Sequence, residues 1–162
     1  MRRQRRSRVL GALACVAVVA FAACGGGEQR LSAAEYERRA NEECATLEEA
    51  SEALRKAQEP DAVGAEVTEH LGTAADRLRE LVDALGELTP PEAIEGEVDD
   101  LLDVLEQYAD RLDALGESAG ANQSLQAVLD ANTDEVVALN ELAQTSSNLV
   151  ETLGLAGCML ES

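Results

Sequence analysis

The chain has 162 residues, enough for one domain, and carries 13 basic and 32 acidic side chains. The net charge of −19 argues against binding to nucleic acid or to anionic lipid head groups. Tryptophan is absent, and only one phenylalanine and two tyrosines occur, so leucine, valine and alanine must supply the core. A composition rich in alanine, leucine, glutamate and aspartate favours helix and, with regular apolar spacing, argues against disorder.

The first 23 residues are typical of a secretory signal peptide. Five arginines and no acidic residue precede an unbroken apolar run at 9–23. The run is shorter than the roughly 20 residues that a membrane-spanning helix needs. Because the positive charges stay on the cytoplasmic side, the remainder of the chain is expected to be exported.

The apolar run ends in the sequence FAAC at 21–24, which resembles the lipobox of bacterial lipoproteins. The resemblance implies that the sulfur of Cys24 is joined to a diacylglycerol and that the chain is cut before it. Ala22 and Ala23 match the small residues of the motif, whereas Phe21 stands where leucine is usual. We therefore predict a signal peptide at 1–23 and a lipidated tether at 24–31, made flexible by three glycines.

Ordinary signal peptidase offers an alternative, because residues 20–22 form an A-x-A site. That cut would leave Cys24 as a free thiol. Cys15 is removed with the signal, so three cysteines would then remain, an odd number in an oxidising compartment. Lipidation of Cys24 leaves Cys44 and Cys158 as a pair, which favours the lipoprotein interpretation.

The first predicted helix begins at Ser32, where Glu35 completes a capping box and Leu31 and Tyr36 can form a hydrophobic staple. Pro60 ends it. Its apolar stripe is Ala40, Cys44, Leu47, Ser51 and Leu54.

The second predicted helix begins at Asp61 as its cap and ends before the sequence TPPE at 89–92. Its stripe is Val63, Val67, Leu71, Ala74, Leu78, Leu81 or Val82, Leu85 and Leu88. The same TPPE segment is expected to start the third helix, with Thr89 as the cap, Pro90 in the first turn and Glu92 closing a capping box.

The third and fourth helices complete the pattern. The third stripe is Ile94, Val98, Leu101, Leu105, Tyr108, Leu112 and Leu115, and the glycines at 116 and 120 interrupt it. The fourth helix is predicted from about Asn122 to Gly154, with a kink or restart at Asn132. Its stripe is Leu125, Leu129, Asn132, Val136, Leu139, Ala143, Ser146, Val150 and Leu153.

Four stripes of similar length joined by short connections predict an all-α fold, an up-down-up-down four-helix bundle over residues 32–162. In such a bundle Cys44 lies roughly 18 Å from the end at which the last helix stops. The tail from Leu153 to Cys158 can span about 16 Å, so it can just fold back to form a Cys44–Cys158 disulfide. The alternative is two unpaired cysteines.

Candidate chemistry is sparse. His70, the only histidine, could join Glu66 in a metal site, but a boundary histidine bonded to a neighbour or to water is the simpler interpretation. A di-iron bundle needs two histidines, and a haem pair would need His70 and Met159, which lie toward opposite ends. We therefore predict no catalytic residues, no metal site and no cofactor.

Three polar residues, Ser51, Asn132 and Ser146, fall on the predicted core stripes. Such residues either leave a cavity for a ligand or fix the register of the helices. No ligand-binding residue is assigned from the sequence alone.

With these residues placed, the chain resembles a broad group of small actinobacterial lipoproteins. The matching segments are the CGGG start at 24–27, LSAAEYERRANEECA, LTPPEAIEGEVDDLLDVLEQYADRLDAL and the closing LGLAGC. The resemblance implies a surface-tethered helical bundle with an early-helix cysteine paired to the terminal one. It implies no reaction.

The functional expectation is a non-enzymatic interaction or structural module on the extracytoplasmic face of the cell membrane. It would be anchored through Cys24, recognise an envelope protein, bind no nucleic acid and be a monomer or a weak dimer. The alternative is a lipoprotein that holds a small apolar or cationic molecule between its helices, near the three polar stripe residues.

Overall fold

The structure, a computed structural model, describes residues 30–159, and all regular secondary structure in that range is helical, as predicted. The α-helices are α1 Ala33–Glu43, α2 Leu47–Ala57, α3 Ala65–Gly86, α4 Glu95–Glu117, α5 Leu125–Ala131 and α6 Thr133–Leu153. Short 3-10 helices cover Cys44–Thr46, Glu92–Ile94 and Ala156–Cys158. The predicted signal peptide and Cys24 lie outside the described residues.

The helices pack in the order in which they follow along the chain. α2 packs on α3, α3 on α4, and α4 on α6. Neighbours run antiparallel, since the N–H of Leu31, just before α1, donates to the carbonyl of Thr89, after α3, at 2.9 Å. At the opposite end, the Thr68 hydroxyl at the start of α3 donates to the Gly116 carbonyl of α4 at 2.7 Å.

The first predicted helix is interrupted. The 3-10 turn at Cys44–Thr46 separates α1 from α2. Ser32 caps α1 by accepting from the N–H of Glu35 at 3.3 Å. The Glu35 carboxylate instead pairs with Arg39 at 2.8 Å, so the predicted capping box forms in only one direction.

The buried face of α2 also differs from the predicted stripe. The buried residues are Leu47, Ala50, Ala53 and Ala57, whereas Ser51 and Leu54 are half-buried. The alanines have no side chain beyond Cβ, so they let α2 approach α3 closely. α2 is therefore rotated about its axis relative to the predicted orientation, and Ser51 and Leu54 lie at the edge of the core.

α3 begins at Ala65 and not at Asp61, so the predicted cap is wrong. The residue before the helix is Gly64, with φ of 53°, and its N–H donates to the Gln123 carbonyl at 2.9 Å. A Cβ there would collide with the Ala121 backbone. Val63, which the periodicity places on the stripe, lies outside the helix and is 37% exposed.

The TPPE segment follows α3, which ends at Gly86, but does not start α4 in the predicted way. Thr89 and Pro90 lie in the connection, a 3-10 turn follows Pro91, and α4 begins at Glu95. The residue before a proline is pushed toward extended conformations, which keeps Pro90 out of a helix. The carbonyls of Thr89 and Pro90 instead accept from the Leu31 N–H and the Arg30 guanidinium.

The predicted restart at Asn132 is confirmed. α5 ends at Ala131, α6 starts at Thr133, and Asn132 joins them with φ of −122° and ψ of 48°. Its side-chain amide donates to the Val128 carbonyl at 2.7 Å and to the Ser118 hydroxyl at 3.1 Å. Asn132 therefore fixes the break and the preceding loop.

Gly154 ends α6 as predicted, in the left-handed conformation with φ of 72°. The N–H of Leu155 donates to the Val150 carbonyl and that of Gly154 to the Glu151 carbonyl, which is the Schellman pattern. Leu155 is fully buried, and the Gly157 N–H donates to the Asn41 side chain of α1 at 2.7 Å. The tail thus folds back over α1.

Within residues 30–159, no helix combines the length and the apolar character needed to cross a membrane.

Candidate functional site: a groove between α2 and α6

The described part of the chain contains a groove of about 780 Å³ between α2 and α6. α2 packs extensively on α3, and α6 packs extensively on α4, but no comparable packing joins α2 to α6. α4 forms the floor with Leu105 and Tyr108, and Cys158 and Met159 lie at one end. The walls include Leu47, Ser51 and Leu54 of α2 and Ala143, Ser146 and Ser147 of α6.

The local sequence explains why the groove stays open. The alanine face of α2 is directed to α3, so the larger Leu54 is left half-buried at the groove. Across from it, α6 presents the small residues Ala143, Ser146 and Ser147 together with the exposed Gln144. The three small side chains are too short to reach across and close the gap.

The Cys44–Cys158 disulfide, present as predicted, ties α1 and α2 to the tail of α6 with a Cα–Cα distance of 4.9 Å. The residues it joins are 114 apart in sequence. Cys44 is 1% exposed and Cys158 is 7% exposed, so the bond is itself part of the core. It closes one end of the groove and limits how far the walls can separate.

Charged residues at the groove all come from α2 and lie at its rim. They are Glu48, Glu52 and Arg55, each exposed to solvent. Glu52 pairs with Lys56 at 3.1 Å and with Arg55 at 3.7 Å. The hydrogen bond from Lys56 is the main cause of a lowered pKa at Glu52, so this carboxylate remains ionised.

Tyr108 is a neutral polar group at the floor of the groove. The residue is half-buried, and burial raises the pKa of its phenol above the ordinary value. The phenol therefore stays protonated at neutral pH and can donate a hydrogen bond.

Two of the three polar stripe residues meet in this groove. Ser51 and Ser146 lie on opposite walls. Asn132 does not take part, since its amide is engaged at the α5–α6 break.

The sequence did not single out Tyr108, which falls on the core stripe of the third predicted helix. The alanines at 50, 53 and 57 form a second possible buried stripe on α2. Burial of that stripe, and not of the predicted one, is what turns Ser51 toward the groove.

His70 is half-buried on α3, and Glu66 is exposed on the same helix. Among residues 30–159, no group of three or more histidine, cysteine, aspartate or glutamate side chains is placed to hold a metal ion. The lipid site predicted at Cys24 lies outside the described residues.

Comparisons with models of known protein families, with characterised proteins and with solved structures give no match to this chain.

Proposed function

We propose that this chain is a lipid-anchored, extracytoplasmic binding protein whose helical domain holds a small ligand between α2 and α6. The anchor is the lipidated Cys24, and the domain at 32–162 is an up-down-up-down four-helix bundle. The signal-like sequence at 1–23, the FAAC motif and the disulfide support export and anchoring. The protein acts by binding and not by catalysis.

The observation that carries this proposal is the groove. Pockets for small molecules measure about 300–1,000 Å³ and combine apolar walls with a few polar groups. The groove has a volume of about 780 Å³, leucines on its floor and walls, and hydroxyls from three helices.

Recognition of an envelope protein through a helical face, the first expectation from the sequence, is the other candidate. The groove favours the small ligand over a partner helix. A partner helix docks by laying its apolar face into a hydrophobic groove, whereas the α6 wall here consists of Ala143, Gln144, Ser146 and Ser147, which are small or polar.

Native mass spectrometry of the mature protein, extracted from membranes and released from detergent, tests the proposal. The expected result is a reproducible adduct of small-molecule mass in addition to the anchor. Ala143→Leu, which adds bulk to the groove wall, should remove the adduct. Ala114→Leu adds the same bulk at an exposed position of α4 and should retain it.

Two results would overturn the proposal. One is an adduct that persists in Ala143→Leu. The other is the absence of any adduct. A stoichiometric protein partner that is captured from solubilised envelope, and released by substitutions on an exposed helical face, would then favour the other candidate.

A further inference from the structure

Two helical serines differ from the other serines and threonines of the α-helices. Among residues 30–159, neither Ser51 nor Ser146 forms a hydrogen bond within the protein, and both line the groove. The other serine and threonine hydroxyls of the α-helices donate to a carbonyl three or four residues earlier, namely those of Thr68, Thr73, Thr133, Thr145, Ser147 and Thr152. The two exceptions among these serines and threonines are thus both found at the groove.

Tyr108 adds a third hydroxyl of the same kind. It lines the floor between the two serine-bearing walls, and its phenol has no hydrogen-bond partner in the described part of the chain. A helical serine either bonds back to the carbonyl four residues earlier or leaves its hydroxyl open to solvent. Three helices therefore place hydroxyl residues without a protein partner along one groove, where they can act as donors or acceptors.

The charges around the groove favour an uncharged ligand. An anion would approach Glu48 and Glu52 on a chain of net charge −19. A cation would find Glu52 already paired with Lys56 and Arg55, and an ion pair with Glu48, which is exposed at the rim, would contribute little free energy. The floor offers only Leu105 and Tyr108, which are neutral.

The groove is longest along α2, whose lining extends from Leu47 to Gln58, about 16 Å of helix. The α6 lining is shorter and runs from Ala143 to Ser147. An extended apolar chain fits this shape better than a compact ring does. Leu47, Leu54 and Leu105 provide apolar contacts along it.

We propose that the groove binds a neutral amphiphile, in which an acyl chain lies along the leucines and the hydroxyl or ester oxygens of the head group bond to Ser51, Ser146 and Tyr108. This inference rests on the proposed function and names the chemical class of its ligand.

Photolabelling tests the class with the lipid-anchored protein in its own membrane. The probes are a monoacylglycerol with a diazirine in its acyl chain, and an alkyl sulfonate and a quaternary alkylammonium with the same diazirine-bearing chain. Peptide mapping should show labels on α2 and α6 with the monoacylglycerol. The sulfonate should label them about tenfold less, because burying its charge near two carboxylates is costly.

Substitution of the hydroxyls tests the recognition element. Ser51→Ala, Ser146→Ala and Tyr108→Phe should each weaken labelling by the monoacylglycerol about fivefold, the value of one ordinary hydrogen bond. Thr145→Ala is the matched control. It removes from α6 an exposed hydroxyl that does not line the groove and is already bonded to the Glu141 carbonyl, so labelling should be unchanged.

Equal labelling by the three probes, preference for a charged probe, or unchanged labelling of the hydroxyl variants would overturn the inference. Absence of groove labelling by any probe would overturn it too. The proposed function fails separately, when native mass spectrometry shows no small-molecule adduct that depends on Ala143.

Discussion

Among the described residues, Tyr36 carries the one buried side-chain polar atom that lacks a hydrogen-bond partner. Its side chain is 0% exposed, and its hydroxyl has no hydrogen-bond partner among the described residues. Leaving a buried hydroxyl unpaired costs about 1–3 kcal/mol, yet the ring fills a large part of a core with few aromatic residues. Burial, with a smaller contribution from Asp99, raises the pKa of this phenol to about 12.

We expect Tyr36→Phe to increase the free energy of unfolding by about 1 kcal/mol at neutral pH, because the ring is kept and the unpaired hydroxyl is removed. The two proteins should also differ in alkaline solution. In the unfolded chain Tyr36 loses its proton near pH 10, whereas in the folded chain it retains the proton to about pH 12.

Between about pH 10 and 12, the unfolded native protein therefore binds fewer protons than the folded protein does. The free energy of unfolding of the native protein consequently falls as the pH rises through this window. The loss attributable to Tyr36 amounts to about 2–3 kcal/mol and should be missing in Tyr36→Phe. Urea unfolding followed by circular dichroism at a series of pH values measures both effects. Parallel pH curves for the two proteins would contradict the assignment, since Tyr108 titrates in both.

At the scale of the element, the helix starts show what the sequence can and cannot predict. Local chemistry decided the cap at Ser32, the break at Asn132 and the stop at Gly154, and each was predicted correctly. The start of α3 depends on a contact from another part of the chain, because Gly64 bonds to Gln123 and abuts Ala121. A pattern read along one segment does not contain such a contact, so Asp61 looked like the better cap.

The groove was only partly predictable for the same reason. Ser51 and Ser146 were recognisable as polar residues on apolar stripes. Whether they meet depends on the rotation of α2, which is set by how closely the alanines at 50, 53 and 57 approach α3. α2 carries two stripes that could be buried, and the packing of α2 on α3 determines which of them is.

Replacing Gly64 and Gly72 by alanine should change the free energy of unfolding in opposite directions. Gly64 lies just before α3, and Gly72 lies within it. Gly64→Ala is expected to lower the free energy of unfolding by more than 2 kcal/mol, because φ is 53° and the new Cβ would meet the Ala121 backbone. Gly72→Ala, in the interior of α3, should raise it by about 0.5–1 kcal/mol. Its Cβ would have Asp113 at 3.8 Å as its nearest neighbour, an ordinary contact.

Thermal unfolding of both glycine variants measures the difference. Stabilisation by alanine at 64 would show that the close approach to Ala121 does not exist in solution.

At the scale of the whole molecule, the disulfide joins α1 and α2 to the tail of α6, two parts of the fold between which α2 and α6 do not pack closely. Closing a loop of 114 residues contributes about 4–5 kcal/mol on the chain-entropy model. We expect Cys158→Ser to lower the free energy of unfolding by that order and to weaken ligand retention, because the groove walls lose their link. Urea unfolding and the native mass spectrum measure the two effects.

Reduction of the native protein should reproduce the stability loss of Cys158→Ser, and adding reductant to Cys158→Ser should have no further effect. Free alkylation of both thiols in the folded, air-exposed protein would contradict the disulfide itself.

The anchor determines where such a groove would operate. If Cys24 is lipidated, the tether at 24–31 keeps the domain within a few nanometres of the membrane surface, where amphiphiles are concentrated. Mass spectrometry of protein extracted from membranes should then find a diacylglyceryl-modified Cys24 at the mature N-terminus. Cys24→Ala should either release the protein from the membrane or leave it as an uncleaved precursor. An unlipidated mature chain that begins at Ala23 would identify the product of ordinary signal peptidase and would remove the anchor from the proposed function.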